Sequence, residues 1–195
     1  MRLAIFAINN IGVGLSGGDT IWTSLAKHWV EFMDITVIGS EEAIETAREY
    51  CPDTRIMKIP ICEKIELKDK FSKWSIFKNT LYKLWHGVRF ALFNDLDCDL
   101  IYSVSDFLPD MIPVFMIKLF NPRIKWIAGF YLFCPSPWAV DNPYKNDRFR
   151  GIAYWLCQRV SYPIIRKFAD VVFVTSDSDK DKFPRTVVVK GGVYV

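Results

Sequence analysis

The sequence contains no cysteines or histidines spaced like the ligands of a metal site. Its two histidines, His28 and His86, are distant in sequence from every cysteine, and no CxxC pair occurs. The cysteines are scattered along the chain, at Cys51, Cys62, Cys98, Cys134 and Cys157. We therefore predict no metal site, and reduced thiols in a cytoplasmic protein.

Long apolar runs and strong net charge are also missing. Arg2 is followed by only six apolar residues, which are too few for the core of a signal peptide. No segment approaches the roughly 18 apolar residues that cross a bilayer as a helix. The net charge of +3 is too small to indicate a nucleic-acid partner. What the chain does have is a hydrophobic content of 51% over 195 residues, enough for one domain with a core.

Apolar and amphipathic segments alternate along the chain. Apolar runs predict strands at residues 3–8, 35–38, 55–59, 100–104, 125–133, 171–175 and 186–189. Amphipathic stretches predict a first helix that ends near residue 33, further helices at 41–50, 68–94, 109–120 and 148–168, and a short helix from 176. This alternation predicts an α/β fold with a parallel sheet and right-handed crossovers.

A glycine-rich stretch, Gly17-Gly18-Asp19-Thr20, lies between the first predicted strand and the first predicted helix. We predict Asp19 or Thr20 as the N-cap of that helix, because either side chain accepts a hydrogen bond from a first-turn amide. Glycines let the backbone come close to a ligand, and the free amides of a helix N-terminus favour a phosphate or a carboxylate. The stretch therefore indicates an anion site; the alternative is a tight turn without a ligand.

The segment 68–94 combines aromatic and basic residues. Its apolar side chains recur every three or four residues and predict one helical stripe, which includes Trp74, Phe77 and Trp85. Lysines flank that stripe, among them Lys70, Lys73 and Lys78. This composition is typical of a helix that lies in a membrane interface over anionic head groups. The alternative is an ordinary amphipathic helix that packs on the sheet and leaves its lysines in water.

Polar residues follow the predicted strands at their carboxyl ends, where open α/β sheets bind ligands. Ser105 and Asp106 follow one strand, and a long polar loop, 134–147, follows the next. Asp106 in this position suits a hydrogen bond to a substrate hydroxyl, or else a cap of the helix that begins at Pro109. Ser176, which follows the strand at 171–175, is likewise either a residue that lines the cleft or the cap of the short helix after it.

Four segments together resemble the N-terminal domain of a GT-B glycosyltransferase, most closely one of family 4 (group 1). The first is the Gly17-Gly18 loop, and the second is the helical segment 25–29 that leads into the strand at 35–38. The third is 169–176, which is similar to the family's A-D-x-V-x-x-x-S pattern. The fourth is 187–193, which stands in the place of the family's I-P-N-G-V turn. The resemblance covers nearly the whole chain.

The resemblance implies a Rossmann-like, doubly wound parallel sheet of about seven strands with helices on both faces. Residues 1–195 would form a single acceptor-side domain, without the family's C-terminal donor-binding domain. The family transfers a sugar from a nucleotide sugar, here a UDP- or GDP-sugar, to an acceptor, with retention and without an obligatory metal. The acceptor is lipid-linked if 68–94 lies on a membrane, which would make the protein cytoplasmic and peripheral. Segment 128–131 also lacks the family's sugar-contacting histidine, so we expect no activity from this chain alone.

The resemblance also implies roles for individual residues, although it identifies no catalytic group. The residues expected to bind the donor diphosphate or the acceptor are Gly17, Gly18, Asp19 and Thr20. Those expected to line the acceptor cleft are Ser105, Asp106, Phe130 and Ser176, and the interdomain turn is Gly191-Gly192. The expected membrane-facing residues are Lys70, Lys73, Trp74, Phe77, Lys78 and Trp85.

Two further interpretations follow from the sequence. Gly12, Gly14 and Gly17 match the G-x-G-x-x-G fingerprint of an NAD(P)-dependent oxidoreductase, and Glu41 is placed like its ribose-binding acid. That fingerprint requires its first glycine close behind the strand, whereas residues 9–11 intervene here. The other interpretation is a non-catalytic subunit that keeps the acceptor or membrane domain and works with a separate donor-binding chain.

Overall fold

The computed structural model describes residues 1–9, 16–59, 73–139, 144 and 146–190. The strands are β1 (Arg2–Ala7), β2 (Asp34–Gly39), β3 (Arg55–Lys58), β4 (Leu100–Ser103), β5 (Lys125–Gly129), β6 (Val171–Val174) and β7 (Thr186–Val188). The helices are α1 (Gly17–Trp29), α2 (Glu41–Tyr50), α3 (Lys73–Phe93), α4 (Leu108–Phe120) and α5 (Arg148–Phe168), with a 3₁₀ helix at Asp177–Lys182.

The seven strands form one parallel sheet in the order β3-β2-β1-β4-β5-β6-β7. From β1 the chain adds strands outward to β3, then returns and adds β4 to β7 on the other side of β1. Leu3 lies opposite Leu100 and Phe6 opposite Ser103 where β1 and β4 pair. This architecture confirms the predicted Rossmann-like, doubly wound α/β fold. It also puts the reversal of strand order, where such sheets bind ligands, between β1 and β4.

Helices cover the sheet on both faces. On one face α1 and α2 pack over a cluster that includes the fully buried Trp22 and Tyr102. On the other face α3, α4 and α5 pack over Phe6, Trp126 and Phe130. We call this second set of helices the α3–α5 layer, with α4 in the middle because it contacts both neighbours.

The helix α1 begins earlier than we predicted. Its N-cap is Ser16, so the prediction of Asp19 or Thr20 as the cap is wrong. The Ser16 hydroxyl accepts a hydrogen bond from the Asp19 amide, and the Asp19 carboxylate accepts one from the Ser16 amide. This reciprocal capping box satisfies two amides at once, and it leaves Gly17 and Gly18 inside the first helical turn.

Two other boundaries differ from the prediction by more than one residue. α1 ends at Trp29 rather than near residue 33, because the amides of Phe32 and Met33 both turn back to the Trp29 carbonyl. β5 ends at Gly129 rather than at residue 133. β4 ends at Ser103, opposite Ala128, and β6 ends at Val174, one residue past the partner of Gly129. The apolar residues that follow therefore soon have no strand to pair with and pack as a loop instead.

The helix α3 buries the side opposite the predicted stripe. Lys83, Gly87 and Phe90 face inward, and the Lys83 side chain is only 3% exposed beside Glu42. Trp74 and Trp85 face outward and are 65% and 64% exposed. The stripe therefore does not pack on the sheet, although α3 packs on the sheet layer through its other face and leaves Lys78 exposed. The predicted start at residue 68 lies outside the described residues.

We predict that Gly39→Ala destabilises the fold. An added Cβ at the end of β2 would lie 2.4 Å from the Ala7 carbonyl oxygen and 2.8 Å from Ala43 Cβ. The Ala7 backbone is fixed in β1 and cannot shift without loss of stability. The free energy of unfolding should therefore fall by about 1–3 kcal/mol in a denaturant titration. Gly17→Ala is the matched control, because nothing lies within 4 Å of its Cβ. An equal loss in both variants would contradict the packing argument.

Candidate functional site

The carboxyl ends of β1 and β4 and the N-terminus of α1 meet at one edge of the sheet, which we call the switch crevice. Gly17 faces open space, with no heavy atom within 4 Å of an ideal Cβ. A Cβ on Gly18 would lie 3.6 Å from the Tyr131 ring, so this glycine lets α1 approach the loop after β5. The predicted glycine stretch thus lies where the topology favours a ligand.

A fully buried tyrosine and a half-buried one lie beside Gly18 at the switch crevice. The hydroxyls of Tyr102, from β4, and Tyr131, after β5, hydrogen-bond to each other. The Tyr131 carbonyl also accepts a hydrogen bond of 2.6 Å from the Thr175 hydroxyl. Burial raises the pKa of both phenols above the ordinary value, so both remain neutral hydrogen-bonding groups at physiological pH.

Asp110, in the first turn of α4, fixes the chain where it leaves β1. Its carboxylate accepts hydrogen bonds from the amides of Ile8, at 2.6 Å, and Asn9, at 2.8 Å, and from the Ser105 hydroxyl. It is fully buried, and desolvation raises its pKa to about 6, although these donors and nearby Lys83 oppose the shift. No sequence pattern identifies this residue, because a carboxylate just after Pro109 in the first turn of a helix is common.

Asp106 lies behind the edge, enclosed by α5. It is 3% exposed, and its carboxylate accepts a hydrogen bond of 2.8 Å from the Gln158 amide. Gln158 and Tyr154 also donate to the Leu132 carbonyl, at 2.6 and 3.1 Å. Burial raises the pKa of Asp106 to about 7. Its carboxylate thus joins α5 to the carboxyl end of β4, and α4 is capped at Phe107 without a side-chain bond from it.

The other residues predicted to bind a ligand or line the cleft have hydrogen-bonding or packing roles in the structure. Asp19 accepts hydrogen bonds from Ser16 and from the Trp22 indole, and Thr20 donates to the Ser16 carbonyl. Phe130 is fully buried in the aromatic core, whereas Ser176 caps the 3₁₀ helix by accepting from the Ser178 amide. The structure therefore brings Gly17, Gly18 and Ser105 to the switch crevice. Gly191 and Gly192 lie outside the described residues.

The acidic residue of the alternative dinucleotide site is already paired. Glu41 begins α2 and forms an ion pair with Lys58 of β3. Of the fingerprint glycines, Gly12 and Gly14 lie outside the described residues. Within the described part of the chain, no three His, Cys, Asp or Glu side chains are grouped as metal ligands are, and no helix is long and apolar enough to span a bilayer.

The chain was compared with known proteins at the levels of sequence and structure. No protein-family model and no curated protein matches the sequence. Two solved structures of HepE from Anabaena, in complex with UDP-glucose and with UDP and glucose, match 99% of this chain with TM-scores of 0.55 and 0.54. Their sequence identities are only 9% and 11%. The calicheamicin glycosyltransferase CalG4 matches 97% of the chain, with a TM-score of 0.50 and 10% identity.

These matches agree with the architecture described above. The chain has the Rossmann-like fold that is found in GT-B glycosyltransferase structures. It covers 44% and 45% of the two HepE chains and 52% of CalG4, so it spans about half the length of the structures that it resembles. At such low identity the likeness shows the fold alone.

We predict that Asp110→Ala destabilises the protein far more than Asp110→Asn. Alanine leaves the buried amides of Ile8 and Asn9 without an acceptor, which should lower the free energy of unfolding by about 2–5 kcal/mol. Asparagine keeps an acceptor oxygen and removes a charge that is costly to bury, so its loss should stay below about 1.5 kcal/mol. Denaturant titration near neutral pH measures both. Equal losses would show that the hydrogen bonds are not what matters.

Proposed function

We propose that this chain is the N-terminal, acceptor-side domain of a glycosyltransferase of family-4 type that transfers a sugar from a UDP- or GDP-sugar to an acceptor. The observation that carries the proposal is the open N-terminus of α1 at the switch crevice. Structures of the same fold that contain UDP-glucose support a nucleotide sugar as the donor. We further propose that the enzyme is cytoplasmic, that the transfer retains the anomeric configuration of the sugar, and that it requires no metal.

The α1 N-terminus is suited to an anionic group. Neither the Gly17 nor the Gly18 amide has an acceptor among the described residues, whereas the next two amides bond to Ser16. Free amides and the helix dipole favour a diphosphate, and two adjacent glycines let its oxygens approach the backbone. The Asp19 carboxylate reaches back to the N-cap, where its oxygens accept hydrogen bonds from Ser16 and from the Trp22 indole. A bound diphosphate would therefore have to approach on the Gly17–Gly18 side of this charge.

The rest of the crevice suits an uncharged polyol. The half-buried Ser105 and Tyr131 present a hydroxyl group and an aromatic ring, which are the groups that contact sugars through hydrogen bonds and ring faces, while the fully buried Tyr102 holds the Tyr131 hydroxyl from behind. A donor-binding second domain would have to close over this edge to complete the reaction. We therefore propose that this domain alone binds its ligands weakly and catalyses no glycosyl transfer.

We expect UDP-glucose to perturb the amide NMR resonances of Gly17 and Gly18 in the isotope-labelled chain. Binding by half of a two-domain site is weak, and chemical-shift mapping detects weak binding residue by residue. Gly17→Val should abolish the perturbation and keep the fold, because its side chain would enter the open space that the ligand needs.

A parallel titration with NAD⁺ separates the transferase from the oxidoreductase. Shifts at the α1 N-terminus with UDP-glucose and not with NAD⁺ support the proposal. Shifts with NAD⁺ alone, or UDP-glucose shifts centred on another edge of the sheet, would overturn it. The non-catalytic interpretation differs in one respect: a separate donor-binding chain would co-purify with this one.

We also propose that α3 contacts a membrane, so that the acceptor is lipid-linked. The outward stripe exposes Trp74, Phe77, Leu81 and Trp85 in one line, and the exposed Lys78 lies over the Trp74 ring at 5.9 Å. Aromatic rings at the interface and ammonium groups on anionic head groups are the two contributions that hold such a helix on a bilayer. The other two lysines predicted to face the membrane are Lys70 and Lys73. Lys70 and the side chain of Lys73 lie outside the described part of the structure.

We predict that Trp74→Ser with Trp85→Ser lowers binding to anionic vesicles by at least about tenfold, because each indole would otherwise be buried in the interface. Flotation with vesicles of phosphatidylcholine and phosphatidylglycerol measures the effect. Phe32→Ser is the matched control, since this aromatic side chain is 75% exposed in the turn after α1. Binding that survives the double substitution would exclude α3 as a contact.

A further inference from the structure

The α3–α5 layer has a one-sided charge. The described helical residues of α3 and α5 include no Asp or Glu, and the one acid of α4 is the buried Asp110. The basic residues of these helices are mostly exposed: Lys78, Arg89, Arg148, Arg150, Arg159, Arg166 and Lys167. The helix α2 on the opposite face instead carries four glutamates. The outer side of the layer is therefore positive along two helices and not only along α3.

The helix α5 also exposes an apolar line of its own. Phe149, Ile152, Leu156 and Val160 recur at intervals of three or four residues, and each is at least 41% exposed. This line faces away from the sheet, because Gly151, Gln158 and Ser161 are the buried side of the helix. From the sequence we predicted the helix at 148–168 but assigned no role to its apolar residues.

An exposed aromatic cluster extends this line. Trp138, in the loop after β5, is 79% exposed. Its ring packs edge-on against the Trp155 ring, with 5.9 Å between the ring centroids. The Arg159 guanidinium lies over the Trp155 ring at 4.4 Å. Indole rings beside guanidinium groups suit the boundary between acyl chains and anionic head groups.

The middle of the layer carries no exposed charge. The two ionisable residues of α4 are the buried Asp110 and Lys118, whose ammonium is 2.7 Å from the Asp170 carboxylate and largely buried. Near its end α4 exposes Leu119 and Phe120. The layer is thus apolar in its centre and basic and aromatic on both flanks.

We propose that α5 and Trp138 form a second contact with the same anionic phospholipid surface that α3 binds, so that the chain lies on the bilayer through the whole α3–α5 layer. This proposal rests on the membrane contact of α3 proposed above. Two separated helices that contact one plane fix the tilt and rotation of the molecule, whereas one helix leaves it free to roll. A second copy of this chain is a poor occupant, since it would place arginines of like charge face to face.

The test compares two double substitutions that change the net charge equally. Arg159→Glu with Arg166→Glu reverses two charges on α5, and Lys27→Glu with Arg48→Glu reverses two exposed charges on the α1–α2 side. Leu156→Ser removes apolar surface from α5 without any change of charge. Flotation uses vesicles of phosphatidylcholine and phosphatidylglycerol in equal parts, and thermal unfolding confirms that every variant is folded.

We expect the α5 charge variant to lose about tenfold or more in vesicle binding, Leu156→Ser to lose binding as well, and the control to lose much less. If the α5 variants bind like the control while Trp74→Ser with Trp85→Ser binds poorly, the α5 contact is refuted and the α3 contact stands. If the unmodified chain binds no anionic vesicle, both contacts are refuted. The UDP-glucose titration still tests glycosyl transfer in either case.

Discussion

The path of the chain as it leaves β1 depends on one buried carboxylate. Asp110 belongs to the helix after β4, yet its hydrogen bonds go to the amides of Ile8 and Asn9, beyond the end of β1, and to Ser105. It thereby joins the two strands between which the strand order reverses. The ladder of hydrogen bonds ends with the strands, so without such an acceptor these buried amides would be unpaired. This one carboxylate therefore holds the carboxyl ends of β1 and β4 together at the switch crevice.

The order of the elements was predictable from the sequence because a parallel sheet buries continuous apolar runs, and amphipathic helices separate them. The bounds of α2 and α5 were predicted correctly. Strand ends that depend on pairing with a neighbouring strand were not predicted. β5 stops at Gly129 because β4 has already ended and β6 ends one residue later, although the apolar run continues to Phe133. The start of α1 was missed because Ser16, Asp19 and Thr20 are all good capping residues, and only the geometry shows which of them accepts.

The candidate site was predictable only in part. The glycine stretch was recognisable in the sequence, because two adjacent glycines between a predicted strand and a predicted helix are typical of a ligand-binding turn. Asp110 does not, because a carboxylate in the first turn of a helix is ordinary in sequence, and its partners lie more than a hundred residues away. The outward direction of the α3 stripe was equally hidden. Sequence periodicity identifies a face of a helix, but burial of Lys83, Gly87 and Phe90 decides which face the sheet takes.

The unequal distribution of charge over the two faces gives the molecule an electric dipole across its sheet. The modest net charge of +3 conceals this dipole, because the glutamates of α2 offset the arginines of α5 in the sum but not in space. Near any negatively charged surface the field would exert a torque that turns the α3–α5 layer towards it before contact. The molecule would therefore arrive already oriented. This steering would weaken as salt shortens the Debye length.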